Sequence, residues 1–423
     1  MYTLICGKPA GVLSQDSTGR MWFRHYDDYS GPPLSVSMPV SHRTYGEKVL
    51  RPYLFGLLPD DEVQRKAVAT EFGVGPNNPI ALLQHMGLDC PGAVQFCAMD
   101  DDSLRNAIAM PNTYVPIDDH EIAERLRAIK PEDDGMWLRD GEHWSLGGNQ
   151  GKFALAFIEE RWCSCQGSAA TTHIFKNGIG GSAMEALDEF VCMRAARYAG
   201  VSVASVSIDT FEDERALIID RFDRLIQDGR VVRNHQEDLC QALSVMPSQK
   251  YTSDGGPTTR DVLMLLGRLD NHSVVDFTEQ LFFNYLVGAP DAHAKNFSIV
   301  LESSGARLAP MYDVASGFAY IRRDGREWKL AMSIGGENRF GRVGKGAISK
   351  FVGSRDPELR AMMDRAGVGA DDAIELMARM AQSVPKAMEF AFGDAVGMDG
   401  SDLLHDRLMP KVEENCRITL AML

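Results

Sequence analysis

The apolar pattern of this chain changes character near residue 235, and that change limits the folds open to it. Between residues 143 and 222, short apolar runs alternate with one long helical pattern. Phe153–Glu159, Thr172–Lys176, Val201–Asp209 and Ala216–Phe222 have strand length and composition. Gly181–Ala199 places Met184, Leu187, Val191 and Met193–Ala195 near one helical face. From 235 on the pattern is mostly helical, at Asp261–Leu269, Asp276–Val287, Pro357–Ala366 and Asp371–Val384. Met362, Met363, Met377 and Met380 fall at helical spacing and read as core filler. The expected class is α+β: a small sheet carrying one helix, then a larger helical part.

The N-terminal hundred residues read as a β-rich module. The turn-like DSTG at 16–19 separates two alternating segments, which suits a hairpin. PPLSVSMPV reads as an extended segment bounded by prolines. Helices are expected at Lys48–Leu57, Asp61–Glu71 and Asn78–Met86, with Pro59-Asp60-Asp61 as a start signal. Residues 99–135 are polar and read as a junction with one helix near Glu121–Ile129. The expected division is 1–110, an accessory module; 111–225, a small β-rich lobe; and 226–423, a helical lobe.

Charge and composition narrow the function. The formal net charge is −15, which excludes coating of nucleic acid by bulk charge, since phosphate binding needs clustered Lys and Arg. A local anion site remains open. No apolar run reaches the length of a membrane span, and the first residues lack the pattern of a secretory signal. The eight cysteines are scattered, and Cys163 and Cys165 lack the spacing of a zinc knuckle or redox pair. Reduced thiols and a cytoplasmic location are the expectation.

The most specific chemistry lies in Asp291-Ala292-His293-Ala294-Lys295-Asn296, directly after the apolar LFFNYLVGAP, with Asp313 further on in PMYDVAS. Phosphoryl transfer needs one carboxylate to orient and deprotonate the acceptor hydroxyl, and oxygens to hold Mg²⁺ against the phosphates. Asp291 and Asn296 have the D-x-x-x-x-N spacing that pairs such a base with a metal ligand. Asp313 suits the second ligand. Upstream, Gly147, Gly148, Asn149, Gln150, Gly151 and Lys152 form a glycine-rich stretch whose N–H groups could approach phosphate oxygens. It is not a Walker A loop, because the spacing before Gly151-Lys152 is short and Phe153 follows. Lys176 ends an expected strand, as a phosphate-pairing lysine would. Glu185 and Glu189 lie on the next helix and stay unassigned. Asp220-Arg221-Phe222 closes the last strand before the helical part.

Together these segments resemble the HipA family of serine/threonine kinases, toxins of bacterial type II toxin–antitoxin pairs. GVLSQDSTGRMWFRHYDD, LFGLLPD and GLDCPGAVQF resemble the family's N-terminal subdomain. SLGGNQGKFAL resembles its phosphate loop, TTHIFK its ATP-lysine strand and DRFDR its hinge. HQEDLCQAL, NYLVGAPDAHAKNFSI and PMYDVAS resemble its C-lobe signatures. The resemblance implies a two-lobed protein-kinase-like fold with an accessory N-terminal subdomain. It implies Asp291 as catalytic base, Asn296 and Asp313 as Mg²⁺ ligands, and Lys176 and Gly147–Lys152 at the ATP phosphates. It implies Asp220, Arg221 and Phe222 at the adenine, and His293, Ala294, Lys295 and Asn296 along the nucleotide. Ser145 matches the loop serine whose autophosphorylation inactivates the family. The family commonly has alanine and glutamine around this turn; here Gly148-Asn149-Gln150 intervenes, while Gln150 and Lys152 still match. The implied acceptor is a serine of an aminoacyl-tRNA synthetase. The implied partner is a helix-turn-helix, HipB-like antitoxin through which operator DNA is met. Two other readings remain: a partner-dependent corepressor that keeps the kinase fold for shape, and a small-molecule kinase of related fold.

Overall fold

Asp16 builds the turn of the chain's second hairpin. Its Oδ1 accepts from the Thr18 and Arg20 backbone N–H groups at 2.9 and 3.1 Å and from the Thr18 hydroxyl at 2.6 Å. The computed structural model describes residues 1–109, 112–129, 142–148, 150–177, 183–322 and 324–423. Around that turn, β1 (Tyr2–Ile5), β2 (Lys8–Gln15) and β3 (Met21–His25) form an antiparallel meander. β4 (Thr44–Gly46) joins its edge. Helices α1 (Glu47–Gly56), α2 (Glu62–Glu71) and α3 (Pro79–Met86) follow. Asp61 and Asn78 cap the last two by accepting from backbone N–H groups three residues on. β5 (Val94–Cys97) returns beside β1, giving the strand order β4-β3-β2-β1-β5.

A second sheet follows. Its elements are α4 (Asp101–Ala109), β6 (Asn112–Pro116), α5 (Asp119–Ala128), β7 (Phe153–Ile158), β8 (Arg161–Gly167) and β9 (His173–Lys176). The chain then makes α6 (Ala183–Tyr198) before β10 (Val206–Phe211) and β11 (Glu214–Asp220) complete the order β10-β11-β9-β7-β8-β6. A hairpin of β12 (Arg224–Gln227) and β13 (Arg230–Arg233) comes next, then β14 (His235–Asp238) and the short α7 (Leu239–Ala242). One apolar core joins Phe23, Leu50, Tyr53 and Leu57 from the first sheet and its helices to Trp144, Phe153 and Phe175 from the second. It belongs to a compact unit made of Met1–Gly181, Ile208–Ser248 and Ser298–Ala306.

The other unit comprises Ser182–Ser207, Gln249–Phe297 and Arg307–Leu423. It holds α6, α8 (Thr259–Leu269) and α9 (Asn271–Val287). In chain order, α9 is followed by β15 (Ser298–Glu302), which belongs to the first unit, by β16 (Gly305–Leu308), and then by β17 (Lys329–Ile334) and β18 (Glu337–Arg339) of this one. Four helices end the chain: α10 (Lys345–Phe351), α11 (Pro357–Arg365), α12 (Ala370–Asp394) and α13 (Ser401–Met422). Helix α9 is the centre of this unit, with Phe277, Leu281, Phe282, Phe283 and Tyr285 fully buried. Asn415 of α13 donates to the Tyr285 and Leu286 carbonyls at 2.8 and 3.0 Å, pairing acceptors that the end of α9 leaves open. Met362, Met363, Met377 and Met380 are core residues, as their spacing suggests.

Several elements depart from the sequence reading. PPLSVSMPV, expected as an extended segment, joins no sheet and carries a turn at residues 36–37. The junction at 99–135 carries α4 and β6 besides the expected helix, and β6 pairs with β8, about fifty residues away. Residues 201–205 are not strand, and β10 starts at Val206. The part after 235 includes β14 to β18 among its helices. These strands are short and partly polar, so their partners define them more than their own composition does. The start expected at Gly181 for the helix that became α6 lies outside the described residues.

Candidate active site

Helix α9 ends at Gly288, whose φ of +74° is left-handed and whose absent Cβ would lie 2.4 Å from the Phe318 ring. The chain therefore turns sharply into Pro290-Asp291. A short 3-10 turn over Ala294–Asn296 then leads into β15. The Asn296 amide N–H donates to the Asp291 carbonyl at 2.9 Å, so its oxygen is the end of the amide not used in this bond. The Asp291 carboxylate is exposed. Its Oδ1 accepts from the Tyr251 hydroxyl at 2.6 Å, and its Oδ2 lies 3.7 Å from His293 Nε2. The His293 ring is buried, and its Nδ1 has no hydrogen-bond partner among the described residues. Burial lowers its pKa and Lys250 adds to that, against Asp291 and Asp313, so the ring is neutral near pH 7.

Asp313 has a φ of +59°, a left-handed conformation that aspartate tolerates better than most residues. Its neighbours tie it to the Asp291 loop. The Tyr312 hydroxyl donates to the Lys295 carbonyl at 2.8 Å. Further along, the Ser316 hydroxyl donates to the Val287 carbonyl at 2.6 Å and the Gly317 N–H to the Gly288 carbonyl at 2.8 Å. The Ser316 N–H donates to Asp188 on α6 at 3.1 Å. Burial pushes the Asp188 carboxyl up to about 7, opposed by that N–H. Asp291, His293, Asn296 and Asp313 thus come together in one unit.

The other unit carries the glycine-rich stretch. The Ser145 N–H donates to the Asp89 carbonyl at 3.0 Å, and the Asp60 N–H to the Gly148 carbonyl at 3.2 Å. Ser145 is fully buried, and its hydroxyl donates to the Leu57 carbonyl. Lys152 Nζ donates to the Gly147 carbonyl at 2.8 Å. Trp144, Leu146, Gly148, Gln150 and Lys152 line a cavity with Pro59, Val68 and Met86. Asn149 lies outside the described residues. Lys176 is buried at the end of β9, opposite Leu217 of β11. Asp220 pairs with His173 across the same two strands, 3.1 Å from its Nε2.

Arg221 enters a buried charge cluster. It reaches Asp223 at 2.8 Å and Asp89 at 3.5 Å, and Arg224 and Arg233 also pair with Asp89. The Asp223 carboxylate accepts from the Gly92 N–H at 2.6 Å. Burial opposes the charge on Asp89, but Arg224, Arg233 and Arg221 outweigh it and hold the carboxyl well below the usual range. Phe222 is half-buried. Tyr251, Tyr312, Asp188 and Asp89 were absent from the sequence reading. The available signal for Tyr251 was an aromatic set in the polar, glycine- and proline-rich stretch at 249–257.

This fold and these loops define a two-lobed protein-kinase-like enzyme. A family described as the HipA-like C-terminal domain matches residues 144–388, and the HipA N-terminal domain matches 2–97. The serine/threonine-protein kinase toxin HipA of Shewanella oneidensis is 31% identical over 402 residues, covering 89% of this chain and 86% of that protein. Y4mE of Sinorhizobium fredii is 36% identical over 337 residues, covering 78% and 79%. A chain of the solved Shewanella oneidensis complex of HipA, HipB and operator DNA superposes with a TM-score of 0.80 at 25% identity, covering 100% of this chain and 97% of that one. The chain belongs to the HipA family of serine/threonine kinases.

Proposed function

We propose that this chain is the kinase toxin of a toxin–antitoxin pair and transfers the ATP γ-phosphate to a serine of an aminoacyl-tRNA synthetase, which would block charging and slow translation. The observation that carries the kinase chemistry is the exposed Asp291 carboxylate, set in a loop braced by Asn296 and tied to the Asp313 segment. In this reading Asp291 takes the acceptor proton as the serine oxygen attacks the γ-phosphorus and ADP leaves. Asn296 and Asp313 offer the hard oxygen donors that Mg²⁺ prefers. When bound, the metal neutralises developing phosphate charge. The buried His293 Nδ1, unpaired among the described residues, supports a polar ligand at this loop. Lys176, Gly147, Gly148, Asn149, Gln150, Gly151 and Lys152 would meet the phosphates. Asp220, Arg221 and Phe222 would meet the adenine; the Arg221 side chain is committed to Asp223 and Asp89 and its N–H to the Thr172 carbonyl, so its group for the adenine is the carbonyl oxygen, which accepts from the Arg224 N–H and keeps a second lone pair.

Ser145 is the proposed self-inactivation site. Its burial supports this reading, because a phosphoserine carries about −1.5 to −2 charges that cannot occupy the seat beside Leu57. The proposed partner is a HipB-like antitoxin. A net charge of −15 fits DNA contact made mainly through that antitoxin. Among the described residues no helix is long and apolar enough to cross a membrane, and the proposed location is cytoplasmic.

The test is incubation of the full chain with Mg-ATP and a panel of aminoacyl-tRNA synthetases, followed by mass spectrometry. Phosphate on a synthetase serine and on Ser145, absent from Asp291→Ala, is the expected result. No phosphate on any acceptor would reject the reading. Operator binding with an antitoxin in the absence of transfer would instead favour the corepressor.

A further inference from the structure

We infer that Tyr251 is the positioning residue for the general base. The inference rests on the reading of Asp291 as that base. Tyr251 precedes Asp291 by forty positions, and its hydroxyl donates to Asp291 Oδ1 at 2.6 Å. That distance falls in the short range of charge-assisted O–H···O⁻ bonds.

The tyrosine is itself held in place. Its carbonyl accepts from the Asp254 and Gly256 N–H groups at 3.0 Å each, closing a tight turn. Gly256 is required there, since a Cβ would lie 1.9 Å from the Gln249 carbonyl oxygen. The Tyr251 ring stands edge-on to His293, with centroids 4.8 Å apart at 83°. Lys250 Nζ lies 5.7 Å from the ring centroid. The Lys250 carbonyl accepts from the Ala294 N–H at 3.3 Å, which joins the turn to the Asp291 loop.

This arrangement answers a geometric need. An exposed carboxylate rotates between several orientations, and a base works only when one oxygen faces the acceptor hydroxyl. A phenol on Oδ1 stops that rotation and leaves Oδ2 for the acceptor. An arginine in its place would engage both oxygens. A tyrosine therefore orients the base without occupying it.

The test is Tyr251→Phe in the full-length protein, assayed by transfer of labelled phosphate from Mg-ATP to whichever acceptor the unaltered chain labels, itself included. Phenylalanine keeps the ring against His293 and removes only the hydroxyl. The expected result is a fall in kcat of about tenfold, the size of one hydrogen bond to a charged group, with KM for ATP and melting temperature nearly unchanged. An unchanged kcat overturns the inference. So does a loss confined to KM for ATP, which would make Tyr251 a nucleotide contact. Asp291→Asn separates this failure from failure of the underlying reading. If Asp291→Asn turns over like the unaltered chain, or the unaltered chain labels nothing, the reading of the base falls and the inference falls with it. If Asp291→Asn is inactive while Tyr251→Phe is unaffected, only the role of Tyr251 is lost.

Discussion

Asp89 Oδ1 accepts from Arg233 Nη2 at 2.9 Å, with both side chains shut away from solvent. The same carboxylate reaches Arg224 at 2.9 Å, the Thr171 hydroxyl at 2.7 Å and Arg221 at 3.5 Å. One acidic residue beside α3 thus braces the segment that follows β11, where the adenine contacts are proposed. Asp89→Ala leaves three buried arginines short of a partner. Its expected cost is about 3–5 kcal/mol, read by urea unfolding of the full chain. A cost under about 1 kcal/mol would show that the arginines find water instead.

Glu237 is buried on β14, accepts from the Val36 N–H at 2.8 Å through Oε1, and has no partner on Oε2 among the described residues. Burial pushes its carboxyl up to about 8, opposed by Ser35 and the Val36 N–H. The folded pKa lies above the unfolded one, so this group's contribution is full below about 4.5 and is lost as the pH rises through about 8. Glu237→Gln removes the titration and keeps Oε1. Its melting temperature should exceed that of the unaltered chain by a few degrees above pH 8, and the gap should close near pH 5. A gap that does not change with pH would rule this out.

Ser145 gives a pair of opposed variants. Ser145→Ala loses one hydrogen bond, to the Leu57 carbonyl, worth about 1 kcal/mol, and should keep phosphate transfer to other acceptors. Ser145→Asp puts a charge where the side chain is fully buried, so the loop should leave its seat and transfer should collapse. Limited proteolysis within 144–152 is the check: the aspartate variant should be cut there and the alanine variant should resist.

Asp313 and Asp291 should separate by their metal response. Asp313→Asn removes the proposed metal-ligand charge, so its transfer rate should fall by orders of magnitude and recover partly at high Mg²⁺. Asp291→Asn should not recover with metal. Equal Mg²⁺ titration curves for the two variants would count against assigning the metal to Asp313. Growth arrest on overexpression should be relieved by both.

Much of the helical framework was readable from short-range chemistry. Asp61 and Asn78 cap α2 and α3 through atoms three residues away, so neighbours in the chain were enough to place those starts. The apolar run before Asp291 and the turn after it are also local features. The strands β6, β8 and β12 to β18 were not readable: β6 and β14 pair with strands about fifty residues or more away, while β12–β13 and β17–β18 are hairpins of strands too short and polar to show a pattern. The length of α12 was missed as well. Pro385 reads as a helix end, yet the helix continues to Asp394.

The sequence alone determined the chemical inventory: a carboxylate and an amide at kinase spacing, a later aspartate, a glycine-rich stretch and a strand-end lysine. It also determined the family, because long segments match in order. Tertiary structure decided how those groups are held. It put Tyr251 on Asp291, sealed Ser145 against Leu57, set Asp313 in a left-handed conformation and locked the Arg221 side chain onto Asp223 and Asp89. The physical reason is range. Caps, turns and periodicity are set by residues within a few positions, whereas burial and the choice of ion-pair partner depend on segments that only folding brings together.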